Sequence, residues 1–190
     1  MGIFAFVFWG LVVVAVLYVV MLYNSLVQVK HNVSKAWANI DVLLKQRHDE
    51  LPKLVETCKQ YMKFEQETLE RVMQARSRVA SAREAQDIGA LGQAEGALRM
   101  GLGNLFALAE AYPDLKTSET FQHLQSRISG LENAIADRRE FYNESVNINN
   151  VRIEQFPELL IAGRFNFKPF ELLNFQTEEK QEVNIKQMFS

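Results

Sequence analysis

No side chain among the first 29 residues carries a formal charge, and residues 1–22, MGIFAFVFWGLVVVAVLYVVML, are almost wholly apolar. At 1.5 Å of rise per residue this run makes a helix of about 33 Å, enough to cross a hydrocarbon core of about 30 Å. It is a poor secretory signal peptide. No Lys or Arg precedes it, and the bulky Val20-Met21-Leu22-Tyr23-Asn24 offers no small-x-small cleavage site. The segment reads as a single-pass transmembrane helix that stays in the chain; the alternative is an apolar helix buried in a soluble domain. Lys30, Lys35, Lys45 and Arg47 follow the run, and the first acid is Asp41. Basic residues flanking a span favour the cytoplasmic side. The expected topology is therefore an outside N-terminus and a cytoplasmic remainder.

Residues after the anchor suffice for one domain with a sizeable core. The net charge of −2 argues against a nucleic-acid partner, which requires a basic stripe. A single cysteine excludes an intrachain disulfide framework. The expected division is an anchor over 1–23, a helical bundle over 24–170 and a polar tail over 171–190. Within that tail Val183, Ile185, Met188 and Phe189 are the apolar exceptions.

No Gly or Pro occurs from Leu11 to Leu51, so the span is expected to run straight into the soluble part. Apolar positions then step by three and four: Trp37, Ile40, Leu44, Leu51, Leu54, Cys58 and Tyr61, with Arg47 in the one gap. Val72, Ala75, Val79 and Ala82 keep the register, a coiled-coil-like pattern. Pro52 either kinks one long helix or divides it; continuity of register favours a kink, giving one helix over residues 30–86. Asp87 suits the N-cap of a second helix with the seam Leu91, Ala94, Leu98, Leu105, Leu108 and Tyr112. Ser118 suits a third, with the seam Phe121, Leu124, Ile128, Leu131, Ile135, Arg138 and Tyr142, which stops by Phe156-Pro157. The expected fold is all-α: an N-terminal transmembrane helix continuing into an antiparallel up-and-down bundle of three long helices plus a short fourth element.

No catalytic, cofactor or metal signature stands out. His31, His48 and His123 are scattered, with neither HExxH nor Glu-x-x-His, and no phosphate loop or nucleophile elbow occurs. Cys58 on the apolar seam reads as a packed thiol. Four polar residues on or beside the seams are candidate buried groups: Asp41, Arg47, Arg138 and Asn143. Buried charges require partners, so a pair that fixes register, an Arg that snorkels outward, or a ligand contact are the readings. Five of the nine glycines fall between residues 89 and 103. Gly89, Gly96 and Gly103 recur every seven residues, about 160° from the seam, so either a neighbouring helix approaches them closely or the helix start is loosely wound.

Several runs together carry a family resemblance: Tyr23-Asn24-x-Leu26-Val27, Ala36-Trp37-x-Asn39-Ile40-Asp41-Val42-x-Leu44-Lys45-x-Arg47, Leu51-Pro52-x-Leu54-Val55-Glu56-Thr57, Glu110-Ala111-Tyr112-Pro113-Asp114-Leu115-Lys116, Phe141-Tyr142-Asn143, Leu160-Ile161-Ala162 and Phe167-Lys168-Pro169. In this order they closely resemble the LemA family over nearly the whole chain. The resemblance implies an anchored bacterial inner-membrane protein with a four-helix up-and-down bundle, no established catalytic activity, and a link to envelope maintenance or membrane organisation.

Two functions are weighed. One is a non-catalytic scaffold that self-associates and supports the cytoplasmic membrane face. Its motive is a length mismatch between a helix over 30–86 and a shorter second helix, leaving Val33, Trp37 and Ile40 to be covered by helix three and the tail or else by another chain, together with the Gly89, Gly96 and Gly103 face. The other is a monomeric tether that recruits or regulates another membrane protein. Membrane lipid is a partner in both. The topology is checked by labelling a Gly2→Cys variant in which Cys58 has been replaced. Intact cells should label; labelling only after the cells are opened would reverse the orientation.

Overall fold

The computed structural model describes residues 2–175. Among the described residues there are six helices and no strand: α1 (Gly2–Tyr61), α2 (Gln66–Glu84), α3 (Ile88–Ala109), α4 (Pro113–Lys116), α5 (Glu119–Glu154) and α6 (Glu158–Phe165). The apolar positions Val183, Ile185, Met188 and Phe189 lie outside the described residues. Helix α1 has a mean hydropathy of 2.8 in its most apolar 18-residue window, and none of that window is buried. It is long and apolar enough there to cross a membrane. The chain forms two compact units: residues 1–44 with 133–172, and residues 45–132 with 173–190.

In the first unit, α1 buries Leu26, Val33, Ala36 and Ile40, and α5 buries Ile135, Tyr142, Val146 and Ile153. Trp37 meets Tyr142 edge-on, with ring centroids 5.8 Å apart. Val33 and Ile40 are thus covered within their own unit, which corrects their expected exposure to a neighbouring chain. The segment after α6 forms neither helix nor strand and is held to α5 by polar side chains. Asn150 both donates to the Phe170 carbonyl and accepts from the Phe170 N–H, each at 2.9 Å. The Tyr142 hydroxyl donates to the Glu171 carbonyl at 3.1 Å. An amide side chain has one donor group and one acceptor, so it can replace the missing partners of a backbone outside any helix or sheet.

In the second unit α1 contributes Leu51, Leu54, Val55 and Cys58, α2 contributes Leu69, Val72 and Val79, and α3 contributes Leu91, Leu98, Leu102 and Leu105 to the core. The expected single helix over 30–86 does not form. The chain leaves the helix at residues 62–65, with Met62 buried, Phe64 exposed and Tyr61 already turning outward. No Gly or Pro marks this break. It lets the Val72–Val79 seam pack on α3 instead of extending α1. The mismatch in helix length shrinks with it, since α1 ends at Tyr61, while α2 and α3 have 19 and 22 residues. At the α2–α3 turn Gln86 takes a left-handed φ of 54°, and the Asp87 carboxylate caps α3 by accepting from Ala90 N–H at 2.8 Å. Gly92 is buried against the backbone of Asn174, whose carbonyl oxygen would collide with any Cβ.

Pro52 neither divides α1 nor ends it. A proline lacks the N–H that would bond the carbonyl four residues earlier, leaving the His48 carbonyl without its helical donor. Arg76 of α2 supplies one: its Nε–H donates to the His48 carbonyl at 2.9 Å. Its Nη2 lies 2.6 Å from His48 Nε2. A guanidinium only donates, so Nε2 is the unprotonated acceptor. Burial, and then the Arg76 charge, lower the His48 pKa. Pro52→Ala restores the helical donor, so Arg76→Ala should cost less in that background than in the wild type. A double-mutant cycle by urea unfolding should give a coupling of about 1 kcal/mol. Equal costs in both backgrounds would remove Arg76 from this role.

Candidate functional site

The most concentrated polar chemistry in the second unit is an ionic triad. Arg47 of α1, 1% exposed, donates through Nη2 to Glu95 of α3 and through Nη1 to Glu132 of α5. Glu95 is 2% exposed, while Glu132 keeps some access to water. Arg47 Nε is buried without a hydrogen-bond partner. One cation thus faces two carboxylates. Burial alone would lower the Arg47 pKa, but attraction to Glu95 and then Glu132 outweighs it and the pKa rises. Burial pushes the Glu95 carboxyl up, against the pull of Arg47. One turn along α1, the buried Glu50 accepts from Lys53 at 3.3 Å and pairs with Arg127 at 3.1 Å. These pairs join α1 to α3 and α5 by directional bonds, which fixes register more sharply than apolar contact does.

The other polar candidates lie elsewhere. Asp41 and Asn143 are half-buried in the first unit, and each has a partner. Arg138 is exposed, which corrects its expected burial. The α5 seam steps from Ile135 by four rather than three, placing Arg139 half-buried between Ile135 and Tyr142 and turning Arg138 about 100° away. Leu131, on the same expected seam, is half-buried. Gly89 and Gly103 are exposed, and a Cβ on Gly103 would meet nothing within 4 Å. Gly96 is half-buried. Sequence reading gave Arg47 as a candidate buried charge, without its partners. The signal for Glu95 was present: it stands four residues after Leu91 and three before Leu98.

Among the described residues, no three His, Cys, Asp or Glu side chains converge to hold a metal ion. Cys58 is buried, and that burial pushes its thiol up to about 12, so it stays protonated near neutral pH. An open groove of about 780 Å³ lies between the end of α1 and the start of α2, floored by Val55, Met62 and Leu69 and edged by Lys59, Lys63 and Glu70.

Arg47→Leu would leave Glu95 and Glu132 facing each other without a cation, and should destabilise the second unit by about 3–5 kcal/mol at neutral pH. The sign of its pH dependence follows from Glu95. A carboxyl whose folded pKa is raised contributes stability below its unfolded pKa and loses it as pH rises through the folded value. Without Arg47 that pKa climbs further, so the penalty should shrink as pH falls from about 7 toward about 5. Urea unfolding of the variant across that range is the measurement. A pH-independent penalty would mean that the Glu95 charge is not what the mutation exposes.

The LemA family profile matches residues 36–187. Magnetosome protein MamQ 2 of Paramagnetospirillum magneticum is 35% identical over 88 residues, which are 45% of this chain and 32% of that protein. Magnetosome protein MamQ of Magnetospirillum gryphiswaldense is 33% identical over 78 residues, 41% of this chain and 29% of its own length. The chain therefore spans about a third of these magnetosome relatives. Protein LemA of Metamycoplasma hominis is 26% identical over 167 residues, 85% of this chain and 72% of that protein. A profile match across most of a helical chain that opens with a span-length apolar helix gives the assignment: the chain belongs to the LemA family.

Proposed function

We propose that this protein is a non-catalytic, membrane-anchored scaffold that self-associates and supports the cytoplasmic face of a bacterial inner membrane, its helices forming an up-and-down bundle. The observation that carries this reading is α1 itself. The apolar segment and the packed residues Leu26–Ile40 are one unbroken helix, so the anchor is continuous with the fold rather than joined to it by a linker. A flexible linker would suit a tether that searches for a partner; a continuous helix suits an element that holds its position. Two relatives are named for a cellular structure, the magnetosome, and not for a reaction, which supports the non-catalytic part. Lys30 and Lys35 support a cytoplasmic bundle. Self-association is assigned to the α3 face carrying Gly89, Gly96 and Gly103, of which Gly89 and Gly103 are exposed.

A second reading, the monomeric tether, is favoured by a specific observation. Val33 and Ile40, first motives for a neighbouring chain, are already covered by this one. Light scattering of the detergent-solubilised protein separates the two. The wild type should exceed monomer mass, and Gly103→Leu should lower that mass while leaving the helical signal intact. For an isolated helix the same change should be stabilising by about 0.8 kcal/mol, so loss of mass with retained folding identifies a contact. A monomeric wild type across several detergents would sink the scaffold and leave the tether.

A further inference from the structure

Helix α6 turns three of its large apolar residues, Leu159, Leu160 and Phe165, outward. Glu158 and Ala162, four residues apart, are buried, and Ala162 packs in one cluster with Leu26 of α1 and Ile153 of α5. Leu160 lies on the opposite face and Leu159 on the flank, while Phe156 stands in the turn before the helix; these three side chains, Phe156, Leu159 and Leu160, are 79%, 50% and 63% exposed. Phe165 adds a further exposed ring. A helix on a soluble protein turns its apolar stripe inward, and an exposed apolar cluster marks a binding surface.

The position of α6 identifies what it binds. Tyr23, the first residue after the 22-residue apolar run, meets Phe165 and Phe167 edge-on, with centroids 4.9 and 5.9 Å away. Aromatic side chains at the end of a span occupy the headgroup level. These rings bring α6 to that same level. Arg152, which donates to Ser25 at 2.7 Å and pairs with Glu158 at 3.1 Å, ties α6 and α5 to α1 beside Tyr23. Arg164 and Lys168 are exposed next to the stripe, and neither is in an ion pair among the described residues. Apolar side chains on one face with cations beside them is the composition of an interfacial helix on anionic lipid.

We propose that α6, with the Phe156 turn before it, is a second membrane contact: its exposed apolar face inserts at the headgroup boundary of the leaflet from which α1 emerges, and Arg164 and Lys168 meet anionic lipid there. The proposal rests on reading the first residues of α1 as a membrane span. A span alone can rotate about its own axis in the bilayer. A foot beside it resists that rotation and fixes which face of the protein lies toward the membrane.

The test is nitroxide depth measurement on the full chain in vesicles of phosphatidylcholine mixed with phosphatidylglycerol. In a Cys58→Ala background, single labels are placed through Leu160→Cys, Val13→Cys as the span reference and Arg99→Cys as the aqueous reference. The ratio of oxygen to nickel-complex accessibility at position 160 should exceed that at position 99 several-fold and approach that at position 13. Omitting phosphatidylglycerol should lower the ratio at 160 and leave 13 unchanged; an unchanged ratio at 160 would remove Arg164 and Lys168 from the contact. A lipid-like position 13 with a water-like position 160 overturns the foot and leaves the anchor standing. Position 160 shielded from both reagents also overturns it, in favour of a second protein chain on that face. A water-like position 13 overturns the anchor itself.

Discussion

A guanidinium carried inward on an apolar helix face sets the terms for everything packed around it. Arg47 takes the place of a seam residue between Leu44 and Leu51, where burial of an unpaired cation would cost several kcal/mol. The unit folds only in registers that deliver carboxylates to that point, and Glu95 and Glu132 do so from two other helices. Slipping α3 by one residue along α1 would swing Glu95 about 100° away, burying its carboxylate alone and leaving Arg47 with Glu132 only. Leucines tolerate such a slip far better. The apolar core supplies cohesion, and the triad selects which of many cohesive arrangements is native. Arg76 applies the same logic to the backbone, since a lone carbonyl beneath Pro52 is a smaller debt of the same kind.

These two devices explain which parts of the fold were legible in the sequence. Helix identity followed from the spacing of Trp37, Ile40, Leu44 and their successors, because burial of one face imposes that spacing locally. The Asp87 and Ser118 caps were legible because each bonds an N–H three residues on. The course of α1 was not. Pro52 is the one local marker of interruption, yet the donor that neutralises it comes from Arg76, 24 residues later in the sequence. The real break at residues 62–65 carries no marker, because burial of Met62 and packing of α2 on α3 decide it. Arg47 was legible as a buried charge; its partners were not, since pairing across helices depends on tertiary register. Arg138 shows the limit within one helix. Steps of three and four are both helical, and only the neighbours decide which is used.

The titratable groups inside the second unit are largely committed to holding it together. Burial keeps the Cys58 thiol protonated, with its pKa pushed up to about 12, and Arg76 holds His48 as a neutral acceptor. Glu50 is engaged by Lys53 and Arg127. A general acid or base needs a lone pair or proton facing substrate, and these face other side chains. The same reasoning reads differently in the first unit, where the odd feature is apolar rather than polar. If water were their surroundings, polar side chains at positions 156, 159 and 160 would serve the packing of α6 equally well, since the present ones point away from it. Their outward placement, beside the tyrosine that ends the apolar run of α1, is what a fold produces when its solvent at that level is lipid. The helix that begins as an anchor thus continues as a packed wall of the domain, and a short helix returns to the level at which it emerged. Polar pairing fixes register in one unit. In the other, the choice of solvent at its edge decides which face points outward.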